Sequence, residues 1–203
     1  MRIGILGGTF NPPHLGHLIC AEFAFEQLEL DRLLLVPSGV PPHKPRGSED
    51  PGAPVRLALC RAAVDGDGRF EVSSLEVERE GPSYTVDTLR VLHDQTPDND
   101  LYFIVGGDAA ASLPRWRDPE GILSLATLVI ARRSGTSGTG LRSVLEGLHG
   151  GERHQMLRMP QIGISSTQIR ARVRAGRSIR YLVPQGVATV ISEQGLYTGT
   201  ENG

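Results

Sequence analysis

The chain has 203 residues and a formal net charge of -2, with 39% hydrophobic and 22% charged residues. This balance is ordinary for a globular protein, and the near-neutral charge gives no reason to expect nonspecific binding to nucleic acid. No apolar run approaches the ~20 residues of a membrane span and the chain enters a glycine turn at Gly7, so we expect a cytoplasmic protein with neither signal peptide nor membrane partner.

Short apolar runs alternate with segments of helical periodicity along the chain. In chain order they predict a strand at Ile3–Leu6, a helix at Leu15–Leu30, a strand at Leu33–Val36, a helix at Val55–Val64, a strand at Phe70–Ser74, a helix at Val86–His93 capped by Ser83, strands at Leu101–Val105, Leu128–Ala131 and Met156–Met159, and two closing helices, one after Ser166 and one at Gln185–Glu193. Proline, glycine and serine predict exposed loops at residues 38–53 and 134–140. Cys20 and Cys60 lie in apolar helical stretches, which predicts buried, reduced thiols.

Unbroken apolar strands that alternate with helices are typical of a parallel sheet covered on both faces. We therefore expect an α/β fold, a Rossmann-like, doubly wound, mostly parallel sheet with helices on both faces. A small C-terminal helical appendage at about 165–195 completes the single domain predicted for residues 1–203. Ligands of such sheets bind at the carboxyl ends of the strands, where the strand order reverses. The first and fourth strands both run into paired glycines, Gly7-Gly8 and Gly106-Gly107, which places the predicted site there.

The most informative stretch runs from Gly7 to His17, with the sequence Gly-Gly-Thr-Phe-Asn-Pro-Pro-His-Leu-Gly-His. Its glycines let backbone amides approach a polyanion, and the loop leads to a helix N-terminus, where free N–H groups favour phosphate. His14 and His17 stand three residues apart at the start of this helix, so both imidazoles can donate to phosphate oxygens.

Two other interpretations of this stretch have weaker support. A zinc site would need further cysteine or carboxylate ligands beside the two histidines, so the pair alone is at most a half-site. A dinucleotide-binding turn of an oxidoreductase would need the G-x-G-x-x-G spacing and an acidic residue after the second strand, where this chain has Val36-Pro37-Ser38.

The stretch resembles the H-x-G-H signature of the nucleotidylyltransferase superfamily. In its longer form, G-G-T-F-(D/N)-P-x-H-x-G-H, it resembles the nicotinate mononucleotide adenylyltransferase family. Two further segments are similar to motifs of that family: Ile164–Arg170 to I-S-S-T-x-I-R, and Ser83–Leu89 to S-Y-T-x-D-T-L. The three motifs lie in distant parts of the chain, so the resemblance covers nearly all of it.

The resemblance implies an enzyme that joins the phosphate of nicotinate mononucleotide to the α-phosphate of ATP. It implies that the reacting phosphates are stabilised by His14, His17, Lys44 and Arg170. It implies an ATP site made of Gly7, Gly8, Thr9, Phe10, His14, His17, Gly106, Asp108, Arg133, Ile164, Ser165, Ser166, Thr167 and Arg170. It implies a nicotinate mononucleotide site made of Gly8, Ser38, Lys44, Thr85, Asp108, Trp116 and Arg117. In this implied site the Trp116 indole stacks on the pyridine ring, and the backbone amides of Trp116 and Arg117 meet the carboxylate of that ring.

The chemistry of this reaction requires few special groups. The mononucleotide phosphate is already an anionic nucleophile, so the enzyme must supply in-line placement and neutralisation of charge rather than a general base. The sequence has no carboxylate cluster, and we expect Mg²⁺ to be held mainly by the ATP phosphates. Two alternatives stay open: an adenylyltransferase for another phosphate acceptor, such as phosphopantetheine or flavin mononucleotide, and a nucleotide-binding regulator without turnover.

Overall fold

The computed structural model describes residues 1–42, 47, 49–131 and 143–199 of the chain. Lys44, Arg133 and the predicted loop at 134–140 lie outside the described residues, so their predicted roles stay predictions.

A single parallel sheet organises the described part of the chain. Its six strands are β1 (Arg2–Gly8), β2 (Arg32–Pro37), β3 (Phe70–Val72), β4 (Asp100–Gly106), β5 (Thr127–Ala131) and β6 (Gln155–Leu157). They lie in the order β3-β2-β1-β4-β5-β6, and every pairing is parallel. All six predicted strands are confirmed, although β3 and β6 are shorter than predicted. The strand order reverses between β1 and β4, the two strands that end in paired glycines.

Helices connect the strands and close the chain. They are α1 (Leu15–Gln27), α2 (Ala53–Val64), α3 (Leu75–Glu78), α4 (Thr85–Gln95), α5 (Gly107–Ser112), α6 (Pro119–Leu125), α7 (Ser166–Arg174) and α8 (Gln185–Glu193). Residues 143–146 are also helical, and 3-10 turns occupy Leu113–Arg115 and Gly151–Arg153. Among the described residues, no helix has both the length and the apolar character that a membrane crossing requires.

Some helix boundaries differ from the predicted ones. The first helix ends at Gln27 rather than Leu30, because Glu29 adopts the left-handed conformation with a φ of 48°. The short helices α3, α5 and α6 were not predicted, since four to seven residues are too few to show a helical period.

The Ser83 cap predicted for the helix α4 is wrong. Tyr84 occupies the N-cap position, and no side chain caps this helix. The Ser83 hydroxyl instead accepts hydrogen bonds from the amides of Gly39 and Val40, at 2.9 and 3.2 Å. Those amides lie in the loop that follows β2, where the N–H group of Gly39 is buried and would cost free energy without an acceptor.

Hydrophobic clusters cover both faces of the sheet, as expected of a doubly wound fold. Alternate residues of β4 point to opposite faces: Phe103 belongs to the cluster beneath α4 and α6, and Ile104 to the cluster beneath α1. Cys20 and Cys60 are free and buried on the α1 side, which confirms the prediction, and burial raises their thiol pKa values to about 11 and about 12.

The two C-terminal helices pack on α2 rather than on the sheet. Leu59 of α2, Ile169 of α7 and Val187 of α8 share a third hydrophobic cluster. Gly186 allows a close approach of α8, since a Cβ at this position would lie 2.6 Å from the carbonyl oxygen of Ala62. The single-domain organisation predicted for residues 1–203 stays a prediction, which this packing supports.

Replacing Gly186→Ala should therefore destabilise the protein. Overpacking a close contact costs about 1–3 kcal/mol, so we expect a loss of that size in the free energy of unfolding, measured by urea denaturation. Gly68→Ala is the matched control, because nothing lies within 4 Å of a Cβ there. Its effect should stay within about 0.5 kcal/mol. Equal stability of the two variants would contradict close packing of α8 on α2.

Candidate active site

A large cleft opens at the carboxyl ends of β1 and β4. It has a volume of about 760 Å³ and adjoins a second cavity of about 270 Å³. The two share a wall made of Gly7, Gly8, Thr9, Pro41, Val105, Gly106 and Ala109. The glycine pairs of both strands thus lie where the strand order reverses, and the two volumes form one continuous site with two compartments.

The histidine pair lies in the large cleft and is held in a defined geometry. The His14 and His17 rings stack, with centroids 3.7 Å apart and planes inclined by 28°. The Nδ1 atom of His17 accepts a hydrogen bond from the backbone N–H of His14 at 3.2 Å. This contact assigns the proton of a neutral His17 ring to Nε2, which makes that atom a hydrogen-bond donor.

Neighbouring residues fix the position of these rings. Phe10 has a φ of 49°, and its buried ring meets the ring of His17 edge-on at 5.0 Å. A Cβ at Gly16 would come within 3.0 Å of Nδ1 of His14. A side chain between the two histidines would therefore require the His14 ring to shift by a few tenths of an ångström.

The segment Ile164–Arg170 lies across the cleft from the stretch that contains the histidine pair. Ser165 caps α7, because its hydroxyl accepts from the amide of Gln168 at 3.2 Å and its own amide donates to the side chain of Gln168. The Ser166 hydroxyl donates to the carbonyl oxygen of Pro12 at 2.8 Å. The large cleft is lined by Ile164, Ser166 and Thr167 together with the histidines. Ser165 does not line it, and its side chain caps the helix α7 instead.

Arg170 also lines the cleft, and it is held by partners that the sequence analysis missed. Its Nε lies 2.9 Å from Glu49, and its Nη1 donates to the carbonyl oxygen of Asn11 at 2.9 Å. Arg174 contacts the same Glu49 carboxylate. The Arg170 guanidinium is therefore oriented at the cleft wall, beside the loop that leads to the histidines.

Tyr197, near the C-terminus, is a further contact of this loop that the sequence did not reveal. Its hydroxyl donates to Oδ1 of Asn11 at 2.7 Å. Burial raises the pKa of Tyr197, so the hydroxyl keeps its proton and remains a donor at neutral pH. No pattern around Tyr197 pointed to this role, because the contact joins residues 186 positions apart.

The smaller cavity contains five of the residues predicted for the mononucleotide. Gly8, Ser38, Thr85, Trp116 and Arg117 line it. The Trp116 indole is half-buried, donates from Nε1 to the Ser112 hydroxyl at 2.9 Å and meets Phe103 edge-on at 6.2 Å. The ring is therefore fixed in orientation at the cavity wall. Asp108, which was predicted for both substrates, lines the large cleft only, and Gly106 lines both compartments.

Arg117 supplies a positive charge to the smaller cavity. Its guanidinium lies 4.7 Å from the centroid of the Tyr84 ring and 3.6 Å from the Asp87 carboxylate. Among the described lining residues of this cavity, Arg117 is the only arginine or lysine. An anionic group bound here would therefore meet one oriented cation.

A buried carboxyl lies in the wall of the same cavity. Glu76 accepts a hydrogen bond from the Thr88 hydroxyl at 2.6 Å, and Arg79 donates to that hydroxyl at 3.1 Å. Burial raises the pKa of Glu76, while hydrogen bonds from Thr88 and Ser83 and the charge of Arg79 oppose the rise. The sequence analysis did not single out Glu76, since an acidic residue in a charged segment is usually a surface group.

A buried arginine lies behind the wall shared by the two compartments. Arg56 of α2 is 0% exposed and donates to the carbonyl oxygens of Thr9, Ser38 and Gly39. Its Nε also donates to Asp50 at 3.0 Å. Arg56 too was absent from the predicted site, because nothing in the periodicity of α2 distinguishes it from a solvated arginine.

Metal ligands are sparse around this site. Within the described ranges, no group of three or more His, Cys, Asp or Glu side chains is placed to hold a metal ion. Lys44 lies outside those ranges, as does Arg133.

Comparisons with known proteins identify relatives of this chain. A family model described as cytidylyltransferase-like matches residues 5–172. The chain is 43% identical to the probable nicotinate-nucleotide adenylyltransferase of Geobacillus thermodenitrificans, over 97% of this chain and 86% of that protein. It is 45% identical to the protein of the same description in Synechococcus sp., over 97% of this chain and 94% of the relative.

Solved structures share the fold at lower identity. The nicotinic acid mononucleotide adenylyltransferase of Plasmodium falciparum complexed with APC has a TM-score of 0.78 at 16% identity, with 98% of both chains covered. The same enzyme complexed with NaAD has a TM-score of 0.74 at 16% identity and the same coverage.

The chain belongs to the cytidylyltransferase-like family. Its curated relatives at 43% and 45% identity place it, within that family, with the nicotinate-nucleotide adenylyltransferases.

The buried Glu76 carboxyl should make stability depend on pH. Its folded pKa lies above the ordinary value of 4.5, so the folded state binds this proton more tightly, and the free energy of unfolding falls as pH rises from 4.5 through the raised value. Glu76→Gln keeps an acceptor and removes this ionisation. Urea denaturation across that pH range should show the variant gaining stability relative to the wild type as pH rises. Glu78→Gln, on the same short helix but exposed, is the control, and a pH-independent difference for Glu76→Gln would contradict the prediction.

Proposed function

We propose that this chain transfers the adenylyl group of MgATP to nicotinate mononucleotide, giving nicotinate adenine dinucleotide and pyrophosphate. The observation that carries the proposal is the oriented pair His14 and His17 at the floor of a cleft that continues into an aromatic-walled cavity. The family membership and the relatives at more than 40% identity support the same reaction.

ATP fits the larger compartment. The Gly7-Gly8 turn lets the backbone approach a polyanion, and the N-termini of α1 and α7 both open toward this cleft. The donors of His14, His17 and Arg170 would face the phosphates, with the proton on Nε2 of His17 as the donor atom. Glu49, which holds Arg170 here, would compete with phosphate for that guanidinium.

Nicotinate mononucleotide fits the smaller compartment. A pyridine ring needs a flat apolar partner, and the fixed indole of Trp116 offers one. A carboxylate on that ring needs N–H donors or a cation, which the Arg117 amide and the Arg117 guanidinium would supply. The Trp116 amide, expected to share this role, already donates to the carbonyl oxygen of Leu113 at 2.9 Å. The mononucleotide phosphate would then point toward the wall shared with the larger compartment, near Gly8 and Thr9.

The reaction would proceed by in-line displacement on the α-phosphate of ATP. An oxygen of the mononucleotide phosphate forms the new P–O bond, the bond to the β-phosphate breaks, and pyrophosphate leaves with its electron pair. Preorganised donors such as Nε2 of His17 stabilise the charge that develops, because they need not reorient during the step. No proton transfer is required, since the nucleophile is already an anion.

Two finer points belong to the proposal. Mg²⁺ would enter as part of the ATP substrate, held by its phosphates, which is consistent with the lack of a ligand cluster among the described residues. A cytoplasmic location is supported by the two buried, unpaired thiols of Cys20 and Cys60, which suit a reducing compartment.

Loss of the His17 imidazole should impair turnover. We expect His17→Ala to lower kcat by about 100-fold or more, the scale for removal of one preorganised donor, as measured by initial rates of pyrophosphate release. His93→Ala, in the last turn of α4 and outside the site, is the control and should retain wild-type turnover. A folded His17→Ala enzyme with wild-type kcat would rule out this mechanism.

The acceptor preference should favour the acid over the amide. A charge-assisted hydrogen bond contributes about 1.5–3 kcal/mol, so kcat/KM for nicotinate mononucleotide should exceed that for nicotinamide mononucleotide by about tenfold or more. Arg117→Gln should lower this ratio only in part, because the backbone N–H of residue 117 remains as a donor. Arg115→Gln, an exposed neighbour that does not line the cavity, should leave it unchanged.

The same assay separates the two alternatives. Equal rates with both mononucleotides would keep adenylyl transfer but contradict the role of the Trp116–Arg117 segment. Pyrophosphate release only with phosphopantetheine or flavin mononucleotide would favour another acceptor. No pyrophosphate with any acceptor would favour a nucleotide-binding regulator.

A further inference from the structure

Burial of the charged Arg56 side chain costs free energy, which its hydrogen-bond and ion-pair partners must offset. Its side chain is 0% exposed, and the Asp50 carboxylate, 9% exposed, accepts from its Nε at 3.0 Å. A buried guanidinium is tolerated only when it is paired and its N–H groups find acceptors. Four of its five N–H groups have acceptors here, and three of those acceptors are backbone carbonyl oxygens.

These carbonyl oxygens belong to two different loops. Nη1 donates to Thr9 at 2.9 Å and to Ser38 at 2.6 Å, and Nη2 donates to Gly39 at 3.0 Å. The last paired residues of β1 and β2 are Gly8 and Pro37. The guanidinium therefore joins the two chains directly beyond the point at which the strands stop pairing.

The second loop is clamped from its other side as well. The amides of Gly39 and Val40 both donate to the Ser83 hydroxyl. A Cβ on Gly39 would overlap the carbonyl oxygen of Glu76, so this peptide segment has no room to shift toward α3. The peptide group between Ser38 and Gly39 thus has its oxygen fixed by Arg56 and its N–H fixed by Ser83.

The two loops line the two compartments, whereas Arg56 lines neither. Thr9 borders both compartments, and Ser38 borders the smaller compartment. Arg56 would therefore influence the reaction without touching a substrate. A lysine could keep the charge, but its single nitrogen cannot reproduce a planar fork that spans two loops.

We infer that Arg56, paired with Asp50, is a positioning residue that sets the spacing between the ATP loop at Thr9 and the acceptor loop at Ser38–Gly39. This inference rests on the proposed function, because the spacing matters only if the two compartments hold reacting partners. A misplacement of about 1 Å in such a reaction lowers the rate by about 100-fold. Arg56 thus acts on the alignment of the two bound phosphates rather than on the affinity for either substrate.

The test uses Arg56→Lys and Arg56→Gln, with Arg61→Lys as the control on an exposed position of the same helix. For each folded variant, calorimetry gives the dissociation constants of ATP and of nicotinate mononucleotide separately, and pyrophosphate release gives kcat. We expect kcat to fall by about 100-fold while each dissociation constant changes by less than about threefold. A merely structural role would lower the melting temperature without this split between turnover and binding.

The outcomes are distinguishable. Wild-type kcat in a folded Arg56→Lys enzyme would overturn the inference and leave the proposed function intact. So would failure of both Arg56 variants to fold when Arg61→Lys folds, because it would assign Arg56 to stability. A wild-type enzyme that releases no pyrophosphate with nicotinate mononucleotide would overturn the proposed function and this inference together.

Discussion

The parallel pairing of β1 with β4 is the contact on which the rest of the site depends. The helices that follow these strands pack on opposite faces, with Ala21 of α1 in one hydrophobic cluster and Ala110 of α5 in the other. Their divergence leaves a gap at the carboxyl ends of the two strands, which is where ligands of a doubly wound sheet bind. Both compartments open from that gap, so the topology provides the space and the loops only shape it.

Buried polar groups then fix the loops that border this space. Arg56 satisfies carbonyl oxygens on one side of the β2 loop, and Ser83 satisfies amides on the other. Irregular backbone cannot be buried without such partners, because each unsatisfied group costs about 1–3 kcal/mol. The partners that make these loops stable are therefore also the ones that make them rigid, and Glu76 extends the network beneath the smaller cavity.

The C-terminal segment supports the loop that connects Gly8 to His14. Ser166 and Arg170 hold the carbonyl oxygens of Pro12 and Asn11, and Tyr197 holds the side chain of Asn11. The C-terminal helices reach this position because they pack on α2, which also carries Arg56. One helix thus supports both the loop spacing and the segment that closes the large cleft.

The sequence by itself determined the α/β class, all six strands, and the two motifs that face each other across the cleft. Local signals carry this information, since apolar runs, glycine turns and helix caps depend on neighbouring residues. The partners Arg56, Glu76 and Tyr197, and the true role of Ser83, were decided only by the tertiary structure. Each acts through a hydrogen bond to a residue far away in the chain, and a buried arginine or carboxyl has the same local sequence pattern as a solvated one until the fold removes its water.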